Sequence, residues 1–99
     1  MAKGARITRK IAENLAIQAL GLMAGDPERL GAFLAATGIG PEMIRKAAAE
    51  PAFLAGVLDH VCGDETLLIA VAEHAGIAPQ DVAHAQAVLS GRPWRREVS

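Results

Sequence analysis

Apolar side chains recur along this chain at intervals of three and four residues, the spacing that places them on one side of an α-helix. No stretch alternates apolar and polar residues for long enough to form a half-buried strand, so the pattern predicts an all-α protein. Aspartate and proline favour the first turn of a helix, and glycine favours its end. These residues predict six helical segments, which begin at Thr8, Asp26, Pro41, Pro51, Asp64 and Pro79 and end near Ala24, Gly38, Ala49, Cys62, Gly76 and Ser90.

The helix boundaries repeat at a fixed offset of 38 residues. Within residues 25–50, nine of 26 positions are identical to the residue 38 positions later. Common helix-boundary chemistry explains part of this match, and self-similarity also predicts two pseudo-symmetric three-helix units, residues 13–50 and 51–88. Two units are too few for an extended array, so we expect one compact bundle of five to six short helices. The identical pairs are Gly25/Gly63, Asp26/Asp64, Leu30/Leu68, Ala32/Ala70, Gly38/Gly76, Ile39/Ile77, Pro41/Pro79, Ala47/Ala85 and Ala49/Ala87.

Composition determines what kind of core these helices build. The chain has 99 residues, enough for one domain, and 52% of them are hydrophobic; 21 are alanine and only three are Phe, Tyr or Trp. Packing therefore depends on aliphatic side chains that small residues bring close together. The fifth segment carries leucine, isoleucine and valine around most of its circumference, which predicts that it is the most buried helix.

Membrane insertion and disulfide bonding are not expected. The best apolar run, Leu15–Ala24, is too short to span a bilayer and contains Gln18. Cys62 is the single cysteine, which excludes an internal disulfide and a cysteine-based metal site. We therefore expect a cytoplasmic protein without a membrane association.

Charge divides the chain into three parts. Residues 1–10 form a basic arm of +4 and residues 92–99 a basic tail of +2, which leaves −7 for the helical domain, residues 11–91. Short basic ends are either solvated termini or attachment points for an anionic partner. The candidate anion-binding residues are Arg45, Lys46, Arg92, Arg95 and Arg96.

Side chains capable of catalysis are grouped around the fourth and fifth segments, but their spacing is unsuitable. His60 and Cys62 lie about 160° apart on one helix, so they cannot hold one metal ion together with Asp59 or His74. Cys62 faces the core, where its thiol stays protonated. No glycine-rich phosphate loop and no Ser/His/Asp arrangement is present. We predict no catalytic residue, no metal, no cofactor and no enzyme activity.

The segment Val71–Ala83 resembles the middle of a helix-turn-helix motif, with Gly76 at the turn and aliphatic Ile77 and Val82 after it. The second helix of this motif, however, offers no arginine or lysine with which to contact DNA. Any tight corner between two helices needs the same glycine and aliphatic residues. A nucleic-acid-associated protein is therefore the alternative function.

Three residues are candidates for binding a partner protein. On the first segment Ile17 and Gly21 fall on the polar side of the helix, either as an ordinary exposed isoleucine or as a self-association or partner face. Trp94 follows Pro93 in the basic tail, where it either folds back over the bundle or anchors a partner.

Several strings of the sequence resemble a family of small, all-helical bacterial proteins of about this length whose function is unknown. The resemblance spans about residues 14–89 and rests on the helix start Asp26–Leu30, the turn Gly38–Pro41, the segment Pro51–Leu58 and the entry Gly63–Leu68. It implies a cytoplasmic helical protein and supplies no activity or ligand.

These observations favour a non-catalytic protein-interaction or adaptor module, whose partner is another protein or a second copy in a homodimer. The core is well patterned, and no polar constellation lies beside it.

Overall fold

The computed structural model describes residues 7–91, and within them the chain is an all-α bundle. The six predicted helical segments are confirmed, and no strand occurs in this range. The third segment is divided into a 3₁₀ turn and one turn of α-helix. The elements are α1 Arg9–Ala24, α2 Pro27–Thr37, the 3₁₀ turn Pro41–Met43, α3 Ile44–Ala47, α4 Pro51–Cys62, α5 Glu65–Ala75 and α6 Pro79–Leu89. Trp94, Arg92, Arg95 and Arg96 lie outside the described residues.

Local capping chemistry produces the helix ends. The Asp26 carboxylate accepts a hydrogen bond from the Glu28 amide at 3.1 Å, and the Asp64 carboxylate accepts one from the Leu67 amide at 3.2 Å. Each bond satisfies an amide that has no partner within the helix. The stop glycines of α2 and α5, Gly38 and Gly76, have φ angles of 75° and 74°, where any other residue is strained.

The repeat is seen at the helix boundaries but not in the packing. Asp26 and Asp64 have nearly the same backbone angles, φ/ψ of −131°/104° and −130°/105°. The third helices of the two units differ, because α3 has four residues and α6 has eleven. Pro51 forces Glu50 into an extended conformation and ends the third segment early, whereas no proline follows α6 before Pro93. Two equivalent three-helix units are therefore not confirmed.

The centre of the bundle is formed by α1, α4 and α6. Their fully buried side chains include Met23, Val57, Leu58, Val61 and Val82. This arrangement makes α6 a core helix and places α2 and α3 outside the centre.

The prediction that α5 is the most buried helix is wrong. Only Leu67, Val71 and Ala72 are buried in α5, compared with six residues in α1. Ile69 is 43% exposed, and Leu68 and Ala75 are only partly buried against the core, because α5 packs on α1, α4 and α6 with one side. An apolar circumference therefore does not show that a helix is surrounded by neighbours.

One aromatic side chain attaches α2 to the core. Phe33 is the only buried residue of α2, and its ring lies 5.8 Å from the ring of Phe53 and 5.2 Å from that of His60. Both contacts are edge-to-face, a favourable geometry for aromatic rings. The separation of about 160° from the core-facing Cys62 predicts His60 on the polar side of α4. Instead, its ring packs against α2.

None of the helices within residues 7–91 is long and apolar enough to cross a bilayer. The longest, α1, has 16 residues.

Candidate protein-binding groove

A groove of about 600 Å³ runs between the second half of α1 and the 3₁₀ turn with α3. We refer to it as the α1–α3 groove. Glu42 and Arg45 are its only charged residues, so its surface is mainly apolar. The lining residues are Ile17, Leu20, Gly21, Ala24, Pro41, Glu42, Ile44, Arg45 and Ala48.

Both candidate partner-binding residues of α1 lie in this groove. Ile17 is 48% exposed, although it is a large aliphatic residue in the middle of a helix. A methyl group placed on Gly21 would meet nothing within 4 Å beyond the helix backbone. No contact among residues 7–91 therefore requires glycine at this position. The third candidate, Trp94, lies outside the described residues.

The candidate anion-binding residues are not seen to form one site. Arg45 lines the groove together with Glu42, so opposite charges share its rim. Lys46 is exposed on α3 outside the groove lining. The other three candidates belong to the tail beyond residue 91.

Sequence reasoning missed the second wall of the groove. Pro41, Ile44 and Ala48 come from the segment after the Gly38 turn. The spacing between Ile44 and Ala48 is that of one helical face, which was the available signal. Nothing in the spacing says which helix that face approaches, because this depends on contacts between residues far apart in sequence.

A second, more polar groove of about 640 Å³ lies on the other side of α1, against α2 and α5. Arg29 pairs with Asp26 at 3.5 Å within it, and Gly21 lines both grooves. Gly21 therefore lies on a strip of α1 surface that is open on two sides. The lining residues are Gln18, Gly21, Leu22, Gly25, Asp26, Arg29, Ala70 and His74.

The polar residues near the end of α4 are engaged in structural contacts. Burial and, secondarily, the nearby Asp59 carboxylate raise the pKa of the Cys62 thiol, which favours its protonated form. Asp59 also accepts a hydrogen bond from the Gln86 side-chain amide at 2.5 Å. Among residues 7–91, no three His, Cys, Asp or Glu side chains lie close enough to hold a metal ion together.

The corner between α5 and α6 has the turn that the helix-turn-helix resemblance implies. Gly76 adopts the left-handed backbone conformation, and the Ile77 amide donates a hydrogen bond to the Ala72 carbonyl at 3.0 Å. However, α6 buries Val82, Ala85, Ala87 and Leu89, and along it only Pro79 and Gln80 are exposed rather than buried or half-buried. A recognition helix needs a free face to enter a DNA groove, whereas α6 is buried or only partly exposed beyond its first two residues.

Comparison with known proteins agrees with the resemblance in the sequence. A family model described as "Protein of unknown function (DUF3572)" matches residues 9–92, from the first residue of α1 to just beyond α6. No curated protein and no solved structure matches the chain. Since the family model covers well over half of its residues, this chain belongs to the DUF3572 family.

Proposed function

We propose that this protein is a cytoplasmic, non-catalytic interaction module that binds a protein partner in the α1–α3 groove. The observation that carries the proposal is the exposure of Ile17 at the edge of a groove whose lining is apolar except for Glu42 and Arg45. A cytoplasmic location fits the single, half-buried cysteine, since proteins of oxidising compartments usually pair their cysteines.

Binding at this groove would gain free energy from apolar burial. A fully covered isoleucine gains roughly 1.5–3 kcal/mol relative to an exposed one. Apolar side chains in a pocket with a polar rim are the usual anchors of protein interfaces. Ile17 with its charged neighbours Glu42 and Arg45 has this arrangement.

The shape of the groove favours a helical partner segment. Its α1 wall extends from Ile17 to Ala24, about 10 Å or two helical turns. Two helices form its sides, and an amphipathic helix laid between them can insert apolar side chains at successive turns. Glu42 and Arg45 are then placed to pair with charges at the edge of that helix.

A non-catalytic role is supported by the chemistry of the groove. Glu42 and Arg45 are its only ionisable residues, and they carry opposite charges on the same short segment. Acid–base catalysis needs a group with a pKa near neutrality in reach of a substrate. Neither residue has a neighbouring histidine or cysteine in the groove lining.

Nucleic-acid binding, the alternative, receives less support from the packing. Beyond its first two residues, the helix that would read DNA is buried or only partly exposed, and the described part of the chain is acidic overall. The basic residues before and after it are the remaining argument for this function.

The experiment that tests the proposal compares two isoleucines of similar exposure on different helices. Immobilised wild-type protein, Ile17→Glu and Ile69→Glu would each be incubated with cell lysate, and the retained proteins would be quantified by mass spectrometry. Ile69 is 43% exposed and outside the groove lining, so its variant controls for the added charge. We expect Ile17→Glu to lose specific partners that Ile69→Glu retains. Identical sets of retained proteins from all three baits would contradict the proposal.

A further inference from the structure

The outward face of α1 carries a regular stripe of exposed residues. Its members are spaced alternately by four and three positions, so they lie along one line of the helix surface. In coiled coils this spacing forms the seam between two paired helices. We call these residues the α1 stripe: Lys10, Asn14, Ile17, Gly21 and Ala24, all of them exposed.

The α1 stripe is complementary to a second copy of itself. Ile17 projects from the helix, and one turn later Gly21 leaves a hollow where no side chain is present. The two positions are about 6 Å apart along the axis. If two α1 helices cross antiparallel about a twofold axis midway between these positions, Ile17 of each copy lies over Gly21 of the other. The same register sets Asn14 opposite the small side chain of Ala24.

Gly21 lowers the stability of the monomer, and no contact among residues 7–91 compensates for that loss. Glycine within a helix is less favourable than alanine by about 1 kcal/mol. Gly31 and Gly56 are also helical glycines with open space around them, but they lie outside the groove lining. Only Gly21 combines that space with an exposed isoleucine one turn away and an apolar groove beside it.

Charge selects the antiparallel orientation. Residues 1–10 carry +4 with no acidic residue, so a parallel pair would bring two basic arms together. An antiparallel pair separates them and brings Lys10 to the end of the other α1, where the chain turns into the first turn of α2 with Glu28. Both residues are exposed, and neither has an ion pair within residues 7–91. Glu42 and Arg45 at the groove contribute one charge of each sign and favour neither orientation.

We propose that the groove's partner is a second copy of this chain, and that the α1 helices form an antiparallel homodimer with Ile17 seated over Gly21. This inference rests on the proposed function and names the partner for the same surface. The interface is isologous, as in most homodimers, so each copy supplies both the projecting and the receiving residue. One helix pair with its flanking groove covers an area at the lower end of specific interfaces, so the dimer is expected to be weak and concentration-dependent.

Disulfide trapping tests both the contact and its orientation. In a Cys62→Ala background, Ile17→Cys would be made with a long affinity tag and Gly21→Cys with a short one, so that gel mobility separates mixed dimers from like dimers. The two proteins would be mixed in equal amounts and oxidised mildly. We expect the mixed 17–21 dimer to form at least about tenfold faster than either like dimer, because the antiparallel register brings these positions together. Ile69→Cys mixed with either variant measures the rate of random collision.

A dominant 17–17 dimer would overturn the antiparallel register, and trapping no faster than for Ile69→Cys would overturn the homodimer. Sedimentation equilibrium from about 10 µM to about 1 mM then checks the untrapped protein, with Ile17→Glu and Ile69→Glu as variants. The proposal is supported if Ile17→Glu weakens the association and Ile69→Glu does not. A wild-type chain that stays monomeric while Ile17→Glu still loses captured proteins would overturn the homodimer and leave the proposed function standing. If neither the association measurements nor the lysate capture gives the expected result, the homodimer and the proposed function are both contradicted.

Discussion

The ring of Phe33 in α2 meets the imidazole of His60 in α4 edge to face, with centroids 5.2 Å apart and planes at 77°. This contact joins the outer helix α2 to the central helix α4. Phe33 is the only buried residue of α2, and Leu34 is partly buried beside it, so Phe33 is the main anchor of α2 and of the start of the segment that forms the groove.

Replacing Phe33 should therefore be among the most destabilising single changes. We expect Phe33→Ala to lower the free energy of unfolding by about 3–5 kcal/mol, through lost apolar burial and the cavity that remains. Urea denaturation followed by circular dichroism measures this. Phe53→Ala is the comparison, because Phe53 is only partly buried and should cost less. A loss below about 1 kcal/mol for Phe33→Ala would show that α2 is held by other contacts.

Two glycine-to-alanine changes should have opposite effects on the free energy of unfolding. Gly21→Ala should stabilise the monomer by about 0.5–1 kcal/mol, since the added methyl group meets nothing and alanine favours helix. Gly38→Ala should destabilise it by about 1 kcal/mol, since Gly38 has a φ of 75°. Thermal unfolding at low protein concentration provides the comparison. Destabilisation by Gly21→Ala would mean that position 21 contacts something within the chain.

The aspartate caps of α2 and α5 should be equally important for stability. Asp26→Ala and Asp64→Ala should each cost about 0.5–2 kcal/mol, because each removes the acceptor for amides at the start of a helix. The controls Asp26→Asn and Asp64→Asn keep a side-chain acceptor and should restore most of the loss. Denaturant midpoints of the four variants measure this. If asparagine proved as damaging as alanine, the negative charge rather than the hydrogen bond would be responsible.

The Cys62 thiol should react slowly at neutral pH. Its pKa is raised by burial and by the Asp59 carboxylate, so the thiolate is scarcer than in the unfolded chain. We expect labelling by a disulfide reagent to be slower than in denaturant and to accelerate at alkaline pH. Asp59→Asn should accelerate the labelling at a given pH, because loss of the carboxylate lowers the pKa of the Cys62 thiol.

The raised pKa of the Cys62 thiol also predicts how the free energy of unfolding depends on pH. Because the folded thiol binds its proton more tightly than the unfolded one, its contribution to stability is complete below the unfolded pKa. It is lost as pH rises through the folded pKa. Unfolding titrations of wild type and Cys62→Ala isolate this contribution, and a wild-type stability that rose relative to Cys62→Ala on alkalinisation would contradict the sign.

Duplex DNA should not bind this protein in a groove-reading mode. The limited exposure of α6 beyond Gln80 and the −7 charge of residues 11–91 both oppose it. We expect no change in fluorescence anisotropy of a labelled duplex at about 50 mM salt. Binding that weakened steeply with salt and was reduced by a combined change of Arg45 and Lys46 to alanine would revive the nucleic-acid alternative.

Helix ends were predictable because they depend on residues within one turn of each other. The carboxylates of Asp26 and Asp64 reach amides two and three positions away, and Gly38 and Gly76 adopt the left-handed conformation in place. The divided third segment follows the same rule, since Pro51 acts on the residue directly before it. The matching residues at an offset of 38 do not include the distance to the next proline, which is shorter after Pro41 than after Pro79.

The sequence by itself determined the fold class, the helix boundaries and the exposed position of Ile17, because these follow from side-chain spacing and capping along a single helix. Only the tertiary structure decided that Ile69 is exposed, that His60 packs on Phe33, and that α6 is a core helix. It also brought Pro41 and Ile44 opposite Ile17 to form the α1–α3 groove. Helices with apolar residues on several sides can pack in more than one way, and contacts between distant residues select one arrangement by the apolar surface that it buries.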